Sequence, residues 1–324
     1  MNNLSIFTFK VLRKLYTKIL GNYQLPPLQR EEDPNKISDT IYKLLVDEKP
    51  CMIARFGAFE LNTIINYIGV QQGKQSFLKY IKGEALKWWW DEQLIKFMNT
   101  NAGFFPPTQE KIEQFCELML KESSLLDILI SWQPQEYHIK SYFKKDIQFI
   151  DFEPFNPYFT KRPWTRVLEG KKVLVIHPFS QLIRKQYQEN RSKLFDNPNI
   201  LPEFELQTIQ AVQSLGGVTN NFTNWFEALH WMENEVDKHD FDIALIGCGA
   251  YGFPLAAYVK RKGKKAVHFG GSLQLLFGIR GNRWENPNYN PIYNYANLMN
   301  EYWVKPGNAE RPQNAEKVEN ACYW

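Results

Sequence analysis

Gly247, Gly249 and Gly252 stand in the order Gly-Cys-Gly-Ala-Tyr-Gly, between the apolar run FDIALI and a segment of helical spacing. Bare backbone N–H groups at a helix start, together with the helix dipole, favour an anion, and a side chain there would hold a phosphate off. Pro254 is compatible with the first turn of such a helix. Tyr251 inside the loop offers a ring to stack on a base or a sugar. The same glycines also suit close strand–helix packing without any ligand. A dinucleotide dehydrogenase would add an acid near the end of the next strand to hold the ribose. Val267-His268-Phe269-Gly270-Gly271 carries none, so an NAD site lacks its second anchor.

Just downstream, Arg280 and Arg283 flank Gly281 and are followed by Trp284. Guanidinium forks match phosphate geometry and an indole stacks on rings, although a surface turn with a packed Trp reads the same way. His177 ends the run KKVLVI, where open α/β sheets hold their ligands, and is a candidate phosphate contact or general base. His268 ends a later run and suits the same cleft. A capped structural histidine is the plainer reading of either. Arg55-Phe56-Gly57-Ala58-Phe59-Glu60 follows the apolar run CMIA, and Glu60 there is a candidate base, metal ligand or helix-start carboxylate. Asp151 and Glu153 end DIQFID, and their i, i+2 spacing puts both on one strand face, which suits Mg²⁺ or Mn²⁺. The sequence has no GxSxG, HExxH or P-loop lysine motif and no metal-type His/Cys cluster, so nucleophilic hydrolases and zinc enzymes gain no support.

The elements that must position these residues alternate. CMIA, DILIS, DIQFID, KKVLVIH, the stretch Leu206–Ala211, FDIALI and AVHF read as strands, most of them followed by helical segments. The helix-rich stretch of about 75–122 includes Trp88-Trp89-Trp90 and breaks at Asn101–Pro107. Strand–helix alternation at this spacing predicts an α/β, Rossmann-like, mostly parallel sheet with helices on both faces.

Composition narrows the partners. Thirty-nine basic against 35 acidic residues give a formal net charge of +4, too small to argue for nucleic acid. Cys51, Cys116, Cys248 and Cys322 lie far apart and form no CxxC, which excludes a zinc ribbon or a disulfide-dense scaffold and fits a reducing, cytoplasmic setting. Leu4, Phe7, Val11, Leu15 and Ile19 recur at helical spacing opposite Lys10, Arg13, Lys14 and Lys18. That amphipathic helix either packs on the body of the protein or lies on anionic lipid through residues 4–20, at the inner face of the membrane.

Arg55–Glu60, RFGAFE, resembles the RFGDGE-type segment of the GT-D glycosyltransferases. Residues 243–271, IALIGCGAYGFPLAAYVKRKGKKAVHFGG, are similar to the strand, glycine turn, helix and glycine-ended strand near the C-terminus of that family. The tail FGIRGNRW…ACYW is more loosely similar to proteins of bacterial polysaccharide clusters. The resemblance implies a GT-D-like catalytic domain over 25–285, after an amphipathic helix at 1–24 and before a wrapping tail at 286–324. It implies a nucleotide-sugar donor, a divalent metal (Mn²⁺ or Mg²⁺) and a surface-polysaccharide or lipid-linked glycan acceptor. On that basis Arg55, Gly57, Gly247, Gly249, Tyr251, Gly252, His268, Gly270, Gly271, Arg280, Arg283 and Trp284 hold the donor. Glu60 and His177 are catalytic, and Glu60, Asp151 and Glu153 hold the metal. Ala58 stands where the family has an Asp, so another carboxylate replaces it, arginines neutralise the diphosphate, or the chain binds without turning over. A Rossmann-like enzyme using another nucleotide cofactor, such as S-adenosylmethionine, is a third reading.

Overall fold

Short apolar runs become the inner parallel strands because both of their faces must be covered, while the two edge strands are more polar and partly exposed. The computed structural model describes residues 3–217, 221–308, 310–312, 314–317 and 321–324. The strands are β1 (Cys51–Ala54), β2 (Ile128–Ser131), β3 (Gln148–Asp151), β4 (Lys172–His177), β5 (Glu205–Gln210), β6 (Ile243–Ile246) and β7 (Lys265–His268). They form one sheet in the order β3-β2-β1-β7-β6-β4-β5, and every pairing is parallel. All carboxyl ends therefore share one edge. The α/β class expected from the alternation is the class observed.

Side chains alternate between the two faces, as a strand period of two requires. Met52, Ala54, Leu174, Ile176, Ala244 and Ile246 join one core with α3 (Ala58–Gln71), α6 (Gln109–Ser123), α9 (Trp225–Val236) and α10 (Gly252–Arg261). Cys51, Ile53, Val173, Val175, Ile243 and Leu245 join the other. There they meet α2 (Pro34–Val46) and α8 (Ser180–Asn190), together with Tyr295, Trp303 and Trp324 from the segment after 286. Each fully buried aliphatic side chain contributes roughly 1.5–3 kcal/mol, so a sheet covered twice is the dominant stabilising term. The Trp88–Trp90 run is not helical: it lies in the connection between α4 (Phe77–Lys82) and α5 (Glu92–Thr100). The Trp88 and Trp89 rings pack on Tyr80 and on Phe9 of α1 (Asn3–Leu20), and that packing fixes the connection where helical propensity does not.

The path of the chain creates a crevice. It leaves β4 outward to β5 but returns from β6 inward to β7, although β4 and β6 are neighbours. Connections that diverge from adjacent parallel strands leave a gap at the carboxyl edge, the usual ligand position in open α/β sheets.

One ion-pair cluster ties the sheet together at the opposite edge. Asp127 accepts from the Met52 N–H at 2.7 Å, Lys144 at 2.6 Å and Lys260 at 2.7 Å, joining β1, the approach to β3 and α10. Burial pushes its carboxyl up, but the two lysines and the Met52 N–H outweigh that and hold it below its ordinary value. A depressed folded-state value means stability that is complete above the unfolded value of about 4 and lost as pH falls through the folded one. Asp127→Asn should cost about 2–4 kcal/mol at neutral pH and flatten the acid limb of the stability curve. Urea unfolding at neutral pH and at about pH 3 checks both effects; an unchanged midpoint at neutral pH contradicts the cluster's role.

Candidate functional site

The crevice gathers residues from most of the carboxyl edge. Arg55 follows β1, Trp132 follows β2, His177 ends β4, Gly247 follows β6 and His268 ends β7. Together with Gly57, Glu60, Gly249, Gly270, Gly271, Gln274 and Arg283, they enclose a cavity of about 170 Å³. Its charged lining is two arginines against one carboxylate.

Arg55 is the feature that sets the electrostatics. Its guanidinium carbon lies 4.5 Å from the Phe152 ring centroid and 5.1 Å from the Trp132 ring. The Trp132 indole is itself held, donating to the Phe56 carbonyl at 3.0 Å. Among the described residues Arg55 makes no side-chain hydrogen bond and no ion pair. Burial pulls its ionisation down, though it remains a cation at any ordinary pH. Gly270 has a φ of +71°, which favours glycine, and a methyl there would meet Arg55 Nη1 at an ordinary contact distance of 3.4 Å.

Glu60 sits in the first turn of α3, with its carboxylate folded back over Gly57; a methyl on Gly57 would lie 2.0 Å from Glu60 Oε2. Burial raises its carboxyl, with a partial offset from its own N–H and from the charge on Arg55. That makes it a stronger base than a solvated carboxylate.

The two histidines differ in their partners. His177 Nδ1 accepts from the Phe179 N–H at 2.9 Å, which leaves its proton on Nε2. Neither ring nitrogen of His268 has a well-aligned partner. Burial pushes both rings down to about 3, aided at His268 by the charge on Arg55 and slightly opposed by the Arg55 backbone. Both are neutral at physiological pH, so they serve better as hydrogen-bonding groups than as cations or bases.

The remaining candidates scatter. Tyr251 stacks on Trp225 at 4.8 Å with its hydroxyl 3.2 Å from Ser214, away from the crevice. Gly252 serves packing: a methyl there would lie 2.2 Å from His268 Nε2. Arg280 pairs with Glu285 at 3.7 Å and does not line the crevice, and Trp284 is buried beside Tyr323. Arg283 does reach it, with Nη2 3.1 Å from Cys322 Sγ and its guanidinium carbon 5.2 Å from the Tyr323 ring. The expected metal set does not converge. Asp151 caps Phe152 and pairs with Arg30 at 3.2 Å, while Glu153 accepts from the Tyr295 hydroxyl. Among the described residues no group of three potential metal ligands forms, so this donor set does not fit a resident cation.

Trp132, Phe152, Gln274, Tyr323 and Trp324 have no sequence signal of their own. Gln274 is buried and donates to the carbonyls of Ile279, Arg280 and Tyr323, which pins the final segment against the crevice. A methyl on Gly271 would lie 2.2 Å from Tyr323 Cε1, so this glycine admits the tyrosine ring.

Gly252→Ala should lower stability by about 1–3 kcal/mol, because the His268 ring is buried and cannot yield. Denaturant midpoints measure it, and an unperturbed midpoint would return Gly252 to a ligand-binding role.

The chain matches no protein-family model and no curated protein. Two solved structures are similar. One is described as a selenomethionine-substituted structure of domain of unknown function 1792; it is 12% identical, with a TM-score of 0.35 over 92% of this chain and 99% of that chain. The other, described as the highly conserved domain of unknown function 1792 with a distinct glycosyltransferase fold, is 11% identical, with a TM-score of 0.34 over the same shares. Likeness at this level carries no argument, and the fold described above rests on the sheet itself.

Proposed function

We propose that the chain is a glycosyltransferase that moves a sugar from a nucleotide-sugar donor to a glycan acceptor, with the donor diphosphate in the crevice. The observation that carries the reading is Arg55, a half-buried cation without a carboxylate partner among the described residues, set beside the backbone of Gly270. The partnerless nitrogens of His268 at the same crevice support it. So does the resemblance of Arg55–Glu60 and residues 243–271 to GT-D transferases, since both segments border the crevice.

In this reading the bond between the sugar anomeric carbon and the diphosphate oxygen breaks, and its electron pair leaves with the diphosphate. Arg55 and Arg283 stabilise the charge that develops on the departing oxygens, a fixed-cation effect strongest where water is excluded. His177 and His268, both neutral, orient phosphate or sugar hydroxyl groups. The acceptor hydroxyl oxygen forms the new bond to the anomeric carbon, and Glu60 takes its proton. A divalent cation is assigned no step, because Asp151 and Glu153 are committed elsewhere and Glu60 stands alone at the crevice.

The cavity of about 170 Å³ falls below the roughly 300–1,000 Å³ typical of ligand pockets. Tyr323 and Trp324 line it, so in this reading they turn out to admit the donor.

Thermal melts against UDP, GDP, dTDP, CMP, NAD and S-adenosylmethionine test the reading. One nucleoside phosphate at 100 times its dissociation constant should add about 2.7 kcal/mol. Stabilisation by NAD or S-adenosylmethionine alone would contradict it. Glu60→Gln should retain nucleotide binding and lose transfer by roughly 100-fold or more; full activity removes Glu60 from the chemistry. Binding without any turnover in the native chain would assign the non-catalytic role that Ala58 suggests. Tyr323→Ala should tighten nucleotide binding by opening the crevice, whereas weakened binding would make Tyr323 a stacking platform.

A further inference from the structure

The outward face of α1 is apolar. Leu4, Phe7, Leu15 and Ile19 are 74%, 65%, 52% and 78% exposed, and Val11 lies between them. The helix packs on the body through its other side. Phe9 stacks on Phe77 at 5.8 Å and meets Trp88 and Trp89, while the Arg13 guanidinium lies 4.8 Å from the Tyr80 ring. Periodicity left open whether the stripe Leu4, Phe7, Val11, Leu15, Ile19 faces the protein or lipid; it faces away from the body. Eighteen residues make a rigid apolar ridge about 27 Å long. Phe77 and Leu78 of α4 are exposed as well. Apolar surface of this extent on a globular protein marks an interaction site.

Charge identifies the occupant. Lys10, Lys14 and Lys18 recur every fourth residue and so run along one flank of the ridge. Lys14 and Lys18 are exposed and have no acidic partner among the described residues, and α4 adds exposed Lys79 and Lys82. From Asn3 to Arg30 the chain holds no Asp or Glu. An apolar ridge with a cationic flank is the pattern of a helix lying in the interface of an anionic bilayer. No helix of the described residues is long and apolar enough to cross a membrane, so this helix can lie on a bilayer but not span one.

The inner side of the same helix carries a second feature. Arg13 and Thr17 border a cleft of about 1,090 Å³, whose other walls include Asn62, Trp132, Gln133 and Gln135. Side-chain amides with one aromatic ring are groups that hydrogen-bond and stack on sugars. Trp132 borders this cleft and the crevice alike.

We propose that the outward face of α1 seats the protein on an anionic lipid bilayer, which presents the amide-lined cleft to glycan acceptors held in that membrane. The acceptor half of this statement rests on the transferase reading; the docking half does not. The test is co-sedimentation of the full chain, without nucleotide, with phosphatidylcholine vesicles and with vesicles that also contain phosphatidylglycerol. Binding to the anionic vesicles should be stronger by roughly tenfold or more and should weaken with salt. The double variant Phe7→Glu, Val11→Glu should lose it, and Lys14→Glu, Lys18→Glu should lose the preference for anionic lipid. All four side chains point outward, so melting temperatures should stay at the native value, and nucleotide-induced shifts should persist. No sedimentation with either vesicle overturns the proposal, and equal binding to both overturns the anionic assignment. A dimer that the Phe7, Val11 variant dissociates, without vesicle binding, assigns the ridge to a second copy instead. Failure here with intact nucleotide shifts leaves the donor reading standing, and loss of those shifts alone leaves the docking surface standing.

Discussion

Holding the half-buried Arg55 guanidinium without a carboxylate partner is the constraint around which the carboxyl edge is arranged. Even partial desolvation of a charge is costly unless other groups compensate, and here two ring faces from different strand ends do so. Trp132 comes from the end of β2 and Phe152 from the end of β3, so only the parallel order β3-β2-β1 brings both onto a residue that follows β1. The sheet thus keeps a cation in place while leaving its hydrogen-bonding edge unsatisfied. Glu60 is close enough to feel that charge yet makes no ion pair with it, since its carboxylate is turned over the α3 N-terminus. Had the two paired, Arg55 would no longer present a free guanidinium edge to the crevice.

The glycines around this centre divide by purpose. Gly57, Gly271 and Gly252 make room for Glu60, Tyr323 and His268 respectively, while Gly270 holds a φ of +71° that favours glycine. Gly249 has open space where a side chain would go, but its φ of +58° disfavours one. The glycine-rich sequence therefore serves close approach more than it serves a free phosphate loop. The segment after 286 belongs to the same economy: Tyr295 and Trp303 fill one face of the sheet, and Tyr323 and Trp324 reach the crevice.

Much of this was legible in the sequence. The apolar runs of the inner strands were legible because continuous burial on both faces needs runs rather than alternation. The clustering of Arg55, Glu60, His177, Gly247, Gly249, His268, Gly270 and Gly271 at one edge follows from strand ends in a parallel sheet, which the alternation predicted, whereas Arg283 reaches it from a helix beyond the last strand. What stayed hidden depends on distance along the chain. Trp132 lies 76 residues from the carbonyl that fixes it, and no local pattern announces that contact. Asp151 and Glu153 share a spacing that suits a cation, but a cap, Arg30 and Tyr295 reach them first. Periodicity found the stripe on α1 without its direction, since an amphipathic pattern does not say whether protein or lipid covers the apolar side. The tryptophan run shows the same limit: tertiary aromatic packing on Phe9 and Tyr80 overrode helical spacing.

The central claim is that Arg55 is held free for an anion. The most direct measurement is calorimetric titration of the native chain and of Arg55→Gln with the nucleoside diphosphate that stabilises it, at fixed ionic strength. A charge-assisted contact of this kind is worth about 1.5–3 kcal/mol, so the variant should bind roughly 10- to 100-fold more weakly. Melting should confirm that the variant remains folded. Equal affinities for the two folded proteins would contradict the account, because the diphosphate would then lie somewhere other than the crevice that Arg55 defines.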